Sequence, residues 1–368
     1  MAIDLNALAN PGVTGLHPYQ PGKPIEELER ELGINNIVKL ASNENPLGLS
    51  AKAQQAIQQA TSDLTRYPDA NGFYLKQALA EILRCDTAQL TLGNGSNEVL
   101  EILFRTFVSP GDEVIFDAHA FIVYALLTQS SGATARAIPS LDWGHDLDAM
   151  LAAINDKTRL ICIANPNNPT GTYLEPEQLS AFLQQVPEQV LVVLDEAYFE
   201  YVPAERRAAS VEWLQRYPNL CITRTFSKAY GLAGLRIGYL ISSAEMAGLL
   251  NRVREPFNCN SLALAAATAS LVDQDYVQRS VALNQSEMAR FERYFAAKGI
   301  NYIASLGNFI TAELQPASQI YQALLEQGVI VRPIGGYGMP NHLRISVGLP
   351  EENDRFMTAL EAVLSDTQ

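Results

Sequence analysis

Val190-Leu-Val-Val-Leu194 is apolar at five consecutive positions and runs straight into Asp195-Glu196-Ala-Tyr198. A strand with one wet face alternates polar and apolar residues, so a run that is apolar throughout must be covered on both faces. Working outward, Leu160-Ile-Cys-Ile-Ala164, Leu220-Cys-Ile-Thr223 and Ile237-Gly-Tyr-Leu-Ile241 read the same way. Gln89-Leu-Thr-Leu92 and Glu113-Val-Ile-Phe116 are shorter versions. Between them lie segments of helical spacing at Ala51–Ala60, Tyr74–Leu83 and Glu98–Phe107, and another from about Phe121. Strands alternating with helices give an α/β fold, with a large domain whose mostly parallel sheet is sandwiched by helices.

Beyond the Ala-rich stretch Ser261–Leu271 the character changes. A long polar helix over about Gln274–Lys298 leads into strands at Tyr302-Ile-Ala304, Phe309-Ile-Thr311 and Leu343-Arg-Ile-Ser-Val347. Helices separate them and one closes the chain. This predicts a smaller α+β domain over residues 271–368, after a large ligand-binding domain over residues 46–270. Residues 1–45 read as an arm punctuated by Pro11, Pro18, Pro21 and Pro24, with an amphipathic turn or two at Ile25–Leu32 before Gly33. The arm is expected against the smaller domain.

The 368 residues carry 26 Lys and Arg against 40 Asp and Glu, a formal charge of −14, with 48% hydrophobic and 18% charged residues. That composition is globular, not disordered, collagenous or coiled-coil. So acidic a surface repels phosphate backbones and anionic lipid, which argues against nucleic acid and membrane surfaces as partners. The opening MAIDLNALAN lacks the basic start and apolar core of a secretory leader. The run Leu262–Val272 is interrupted by Thr268 and Ser270 and is too short to span a bilayer. Cys85, Cys162, Cys221 and Cys259 lie far apart, as do His17, His119, His145 and His342. Free thiols in a reducing cytoplasm, and no metal site, are expected.

Polar and glycine-rich segments gather where the predicted strands end, the edge at which an open α/β sheet binds ligands. Leu92-Gly-Asn-Gly-Ser-Asn-Glu98 lies between strand and helix, where exposed N–H groups and the helix dipole suit a phosphate. A plain turn reads equally well. A dinucleotide fold competes, since Asp117 follows Gly95 by 22 residues, but Glu98 stands where the third glycine of GxGxxG belongs. Asn165-Pro-Asn-Asn-Pro-Thr-Gly171 is stiffened by two X-Pro steps, so Asn168 projects at a fixed angle; alone, it is a loop. Asp195 ends an apolar strand, where a poorly solvated carboxylate wants a cationic partner. A helix cap and a metal-bound phosphate are its other readings, and no P-loop accompanies the second. The fourth segment is Thr223-Arg-Thr-Phe-Ser227-Lys228-Ala-Tyr-Gly-Leu-Ala-Gly-Leu-Arg236-Ile-Gly238. Its lysine, flanked by small and hydroxyl residues, can lose solvation and serve as a Schiff-base nucleophile, although most lysines are solvated surface. Thr225, Ser227 and Arg236 add donors for a phosphate.

A phosphate cradle, a projecting Asn, a carboxylate, a Tyr and a hydroxyl-flanked Lys, in this order, are the groups that pyridoxal 5'-phosphate requires. The carboxylate keeps the pyridine nitrogen protonated, so the ring withdraws electrons, and the lysine moves the proton. A nicotinamide-dependent dehydrogenase has no use for the Ser227-Lys228 segment, and a cofactor-free binding protein has none for Lys228.

On GNGSNE, NPNNPTG, DEAY and SKAYGLAGLRIGY the chain resembles the fold-type I, aspartate-aminotransferase-like pyridoxal-phosphate enzymes, over nearly its whole length. Among them it is most similar to the class II-like histidinol-phosphate aminotransferases, through HPYQPGKPIEELERELG, LASNENPLG, RYPD, VIVRPI and LRISVG. The resemblance implies roles at matching positions. Lys228 would carry the cofactor, Asp195 would hold its ring nitrogen, and Asn168 and Tyr198 would contact its ring hydroxyl. Gly95, Ser96, Asn97, Thr225, Ser227 and Arg236 would hold its phosphate. Tyr67 would reach the neighbouring subunit's site, which implies a homodimer with shared active sites.

Family members commonly stack the tyrosine of a Pro-Thr-Tyr segment on the ring. Here the stretch is Asp117-Ala-His-Ala-Phe121-Ile-Val-Tyr124, so Phe121 fits the stacking position, with Tyr124 next and His119 third. Arg344 resembles the arginine that grips a substrate carboxylate through a bidentate pair. By the same resemblance Arg332, Tyr19, Asn43 and Tyr67 of the neighbour would complete the substrate side, a solvated rim arginine being the other reading of Arg332. The implied reaction turns imidazole acetol phosphate and L-glutamate into L-histidinol phosphate and 2-oxoglutarate. An aromatic amino-acid aminotransferase on the same fold is the alternative, separated by pocket contacts worth about 1–3 kcal/mol each. A decarboxylase of an amino-acid phosphate ester is a third.

Overall fold

The structure is a computed structural model that describes residues 3–16 and 22–366. Its strands are β1 (Val38–Lys39), β2 (Leu90–Gly93), β3 (Glu113–Asp117), β4 (Thr134–Ile138), β5 (Thr158–Ala164), β6 (Leu191–Asp195) and β7 (Leu220–Thr225). They continue as β8 (Gly238–Ile241), β9 (Tyr302–Ile303), β10 (Phe309–Glu313), β11 (Val329–Ile330), β12 (Arg332–Pro333) and β13 (His342–Ser346).

One seven-stranded sheet has the order β2-β8-β7-β6-β5-β3-β4. β7, β6, β5, β3 and β4 pair in parallel, and β8 runs against both of its neighbours. The sheet is therefore mostly parallel, as the sequence implies. Alternation along the strands accounts for their apolar runs. Ile161, Ile163, Val192, Leu194 and Ile222 enter one core with the helix Ser261–Leu271. Leu160, Cys162, Ala164, Val193 and Cys221 enter another with the helix Ser96–Phe107. Each such fully buried branched side chain contributes about 1.5–3 kcal/mol, which makes two-faced strands the stable middle of the sheet.

The C-terminal strands form an antiparallel sheet in the order β12-β13-β10-β9, and β1 pairs in parallel with β11, Val38 opposite Val329. Val38 and Leu40 thereby share a core with Phe291, Phe295, Leu324 and Phe356. Ahead of β1, Leu28 of the helix Ile25–Leu32 packs with Ala41, Leu325 and Ile330, and that helix ends at Gly33 in a left-handed cap. The helix Gln274–Lys298 ties the parts together, placing Tyr276 and Val277 in the first core and Phe291 and Phe295 in the C-terminal one.

β1, β4, β11 and β12 are strands that the sequence reading passes over. β4 is an edge strand exposed along nearly its whole length, and the others are two residues each, so none carries a burial pattern. The four cysteines are free, Cys85 half-buried and the rest buried. Among the described residues no helix is long and apolar enough to cross a membrane. Nor do three His, Cys, Asp or Glu side chains there form a group able to hold a metal ion.

Candidate active site

A cavity of about 170 Å³ opens where β5, β6 and β7 end. Its walls include Asn168, Asp195, Tyr198, Lys228 and Phe121, together with Ser96, Asn97, Thr225, Ser227 and Arg236.

Strand alternation aims the acid. β6 and β7 pair with Asp195 opposite Thr223, and the two side chains point to the same face. Thr223 Oγ1 donates to Asp195 Oδ1 at 2.9 Å, and the Tyr124 hydroxyl donates to Oδ2 at 2.7 Å. Burial raises the Asp195 pKa, and these two hydroxyl bonds, with one from the Ala197 amide, pull it back down. The protein partners of Asp195 are these two hydroxyls and the Ala197 amide, neutral donors that satisfy a buried carboxylate without the desolvation cost of a second buried charge. On the reverse face, Glu196 pairs with Arg224 at 2.7 Å.

Lys228 follows β7 and is half-buried, with Nζ donating to the Ser42 carbonyl at 3.2 Å and lying 5.7 Å from the Tyr198 ring centroid. Burial, helped by the positive charges of Arg344 and Arg236, lowers its pKa to about 7 against the pull of Glu44 and Asp195. Near neutral pH it is thus a usable nucleophile and base.

Gly95 has φ +87°, and a Cβ there would collide with the Arg236 guanidinium. Glycine lets that guanidinium close over the turn. The helix Ser96–Phe107 then starts without a side-chain cap, so its first N–H groups stay available to an anion. Arg236 Nη1 donates to Ser227 Oγ at 3.3 Å, and the Ser227 amide donates to Thr225 Oγ1 at 3.1 Å.

Asn43, at φ +55°, donates from Nδ2 to the Tyr198 hydroxyl at 2.9 Å and accepts from Ser346 Oγ at 2.9 Å. Burial pushes the Tyr198 phenol up to about 12, so it stays protonated. Arg344 Nη1 donates to Asn168 Oδ1 at 2.6 Å, and Nη2 to the Ala41 carbonyl at 2.8 Å. Arg344 thus reaches the cavity wall from β13.

Of the three aromatic candidates, Phe121 lines the cavity. Tyr124 is wholly buried, edge-on to Phe121 and committed to Asp195. His119 turns away, its Nδ1 2.6 Å from the Tyr337 carbonyl oxygen. Gly95 shapes the cradle from behind the wall. Arg332 is half-buried, paired in register with Arg344 across β12 and β13. Tyr67 stands outside the cavity, 82% exposed and stacked on Phe257 at 4.7 Å. Tyr19 lies outside the described residues. Asp117, the acid of the dinucleotide reading, is buried and accepts from the His119 amide at 2.7 Å and Ser140 Oγ at 2.6 Å. Both bonds fall on Oδ1, while Oδ2 faces His145 Nδ1 at 3.9 Å. Thr223 is the group the sequence reading left without a role, and alternation along β7 was its available signal.

The description "Aminotransferase class I and II" belongs to the family model that matches residues 35–360. The chain belongs to this family. Histidinol-phosphate aminotransferase 1 of Idiomarina loihiensis is 59% identical over 355 residues, 96% of this chain and 97% of its own. Histidinol-phosphate aminotransferase 2 of Pseudomonas aeruginosa is 58% identical over 365 residues, 98% and 99% of the two chains. Among solved structures, the histidinol-phosphate aminotransferase of Sinorhizobium meliloti in complex with pyridoxal-5'-phosphate superposes with a TM-score of 0.90 at 31% identity, covering 98% of each chain. A double mutant of Thermus thermophilus aspartate aminotransferase, 21% identical with a TM-score of 0.84 over 98% of this chain and 99% of its own, shares the fold.

The aminotransferase's own groups suit a flat, phosphate-bearing pyridine aldehyde. The uncapped helix start and Arg236 take the anionic end, Asp195 faces the cavity as an acceptor, and Lys228 offers an amine. Phe121 and Ala197 supply apolar wall.

Proposed function

We infer that the chain uses pyridoxal 5'-phosphate to transfer the amino group of L-glutamate to imidazole acetol phosphate, giving L-histidinol phosphate and 2-oxoglutarate, a step of histidine biosynthesis. The observation that carries this is Lys228, its pKa lowered to about 7, facing the same cavity as Asp195 and an open helix N-terminus. When bound, the cofactor supplies an electron sink that weakens the bond from the substrate Cα to its hydrogen. Lys228 Nζ takes that proton and returns it.

In this reading Asp195 pairs with the ring nitrogen, Asn168 and Tyr198 with the ring hydroxyl, and Phe121 with the ring face. Gly95, Ser96, Asn97, Thr225, Ser227 and Arg236 receive the phosphate. Arg344, Arg332 and Asn43, with Tyr19 and a neighbouring subunit's Tyr67, orient the substrate's charged end. Support for a homodimer comes from Tyr67, Phe73, Tyr74, Leu64 and Phe257, all exposed, because apolar surface of this kind is what a second copy covers. We place the protein in the cytoplasm, in keeping with its free thiols. We take residues 46–270 as the cofactor-binding domain and 271–368 with the arm 1–45 as the smaller one, in keeping with the pairing of β1 and β11.

The test is kcat/KM with 2-oxoglutarate as acceptor. L-Histidinol phosphate should exceed L-phenylalanine at least tenfold. Equal or better use of L-phenylalanine replaces this reading with an aromatic amino-acid aminotransferase.

A further inference from the structure

We propose that Tyr124 is a positioning residue, which keeps the Asp195 carboxylate ionised and rotationally fixed for the cofactor's ring nitrogen. The proposal rests on the role given to Asp195 above. Tyr124 sits on the helix Ile122–Ser130 with no exposed surface, and its hydroxyl lies 2.7 Å from Asp195 Oδ2. Thr223 Oγ1 holds Oδ1 at 2.9 Å. Each carboxylate oxygen therefore receives a hydroxyl donor, and the group cannot rotate without breaking a bond.

Asp195 needs such help. Burial favours the neutral acid, and a neutral acid cannot pair with a protonated ring nitrogen. The ionisable groups around it are Tyr124, Tyr198, Cys162, Glu196 and Lys228. Of these only Lys228 can carry positive charge, and it is largely neutral above pH 7. Burial keeps the Tyr124 and Tyr198 phenols and the Cys162 thiol protonated, and Glu196 is already paired with Arg224. Neutral donors are what remain to hold the anion: the Tyr124 and Thr223 hydroxyls and the Ala197 amide. The Tyr124 ring is packed against Phe116 and Phe121, so Tyr124→Phe keeps the packing and deletes the donor alone.

The experiment titrates pyridoxal 5'-phosphate into apo protein and follows Kd by fluorescence from pH 5 to 9, for wild type, Tyr124→Phe and Asp195→Asn. Wild-type affinity should fall on the acid side as Asp195 takes up a proton. Losing a donor to the anion raises that pKa. In Tyr124→Phe the acid limb should therefore move to higher pH by about one unit, a tenfold change in ionisation. A residue that merely fills space would weaken binding equally at every pH. As a second variant, Tyr124→3-fluorotyrosine has a more acidic hydroxyl, a stronger donor, and should move the limb to lower pH. If Asp195→Asn loses affinity and the limb while neither Tyr124 variant moves it, the proposal for Tyr124 is overturned and the role of Asp195 stands. If Asp195→Asn binds like wild type with the same limb, the role of Asp195 itself is wrong.

Discussion

Gly238→Ala probes how tightly the phosphate cradle is built. Gly238 opens β8, paired with Gly93 on one side and Thr225 on the other. A Cβ there would lie 2.5 Å from the Ser96 amide nitrogen, 2.8 Å from the Gly95 carbonyl carbon and 3.0 Å from the Arg224 carbonyl oxygen. All three atoms are backbone, so no side chain can swing aside and the helix start must shift. Overpacking of this kind costs about 1–3 kcal/mol. With an unfolding entropy of about 2.1 cal/mol/K per residue over 368 residues, roughly 0.8 kcal/mol/K, the melting temperature should fall by about 1–4 °C. The displaced Ser96 amide should also weaken the hold on the cofactor phosphate, about tenfold if one charge-assisted hydrogen bond is lost. Gly248→Ala is the control. It lies in the helix Ala244–Val253 with nothing within 4 Å of its added Cβ. It should stabilise by about 0.5–1 kcal/mol and leave affinity alone. Thermal melts and cofactor titrations of both variants check this. A Gly238→Ala protein that melts and binds like wild type would refute the reasoning.

Lys228 should react with a carbonyl reagent in the apo protein with a midpoint near pH 7, in place of the ordinary 10.5; a midpoint near 10 would mean the amine is solvated. Because its pKa is lower in the folded state, the unfolded chain binds more protons between pH 7 and 10.5. Through this group, stability therefore rises with pH across that window. Arg344→Lys removes the fork that meets Asn168 and Ala41 and should raise KM for L-glutamate by about 10–100-fold, the worth of one or two charged hydrogen bonds. An unchanged KM removes Arg344 from the substrate site.

Much of this was legible in the sequence, for a physical reason. The central strands are buried on both faces, so their composition alone announces them, and Leu160–Ala164 and Leu220–Thr223 fall inside β5 and β7. Cavity residues at strand ends inherit that legibility, since Asp195 is simply where β6 stops. What stayed hidden depends on contacts between distant segments. The Tyr124 hydroxyl meets Asp195 across 71 residues, and Asn43 meets Ser346 across 303. No local spacing encodes either. β4 was missed because an edge strand with solvent on its side chains has no apolar alternation. Nor does the pattern around Asp195 specify which neighbours, Tyr124 and Thr223 among them, satisfy its buried carboxylate.

The most direct test of the central claim is to treat the cofactor-loaded protein with borohydride and map the modified peptide by mass spectrometry. Borohydride fixes the cofactor onto whichever amine holds it. The cofactor's mass should appear on Lys228, in the peptide that continues through Ala229-Tyr230-Gly231, and Lys228→Ala should take up none. Label on another lysine, or undiminished labelling of Lys228→Ala, would contradict the account of this cavity.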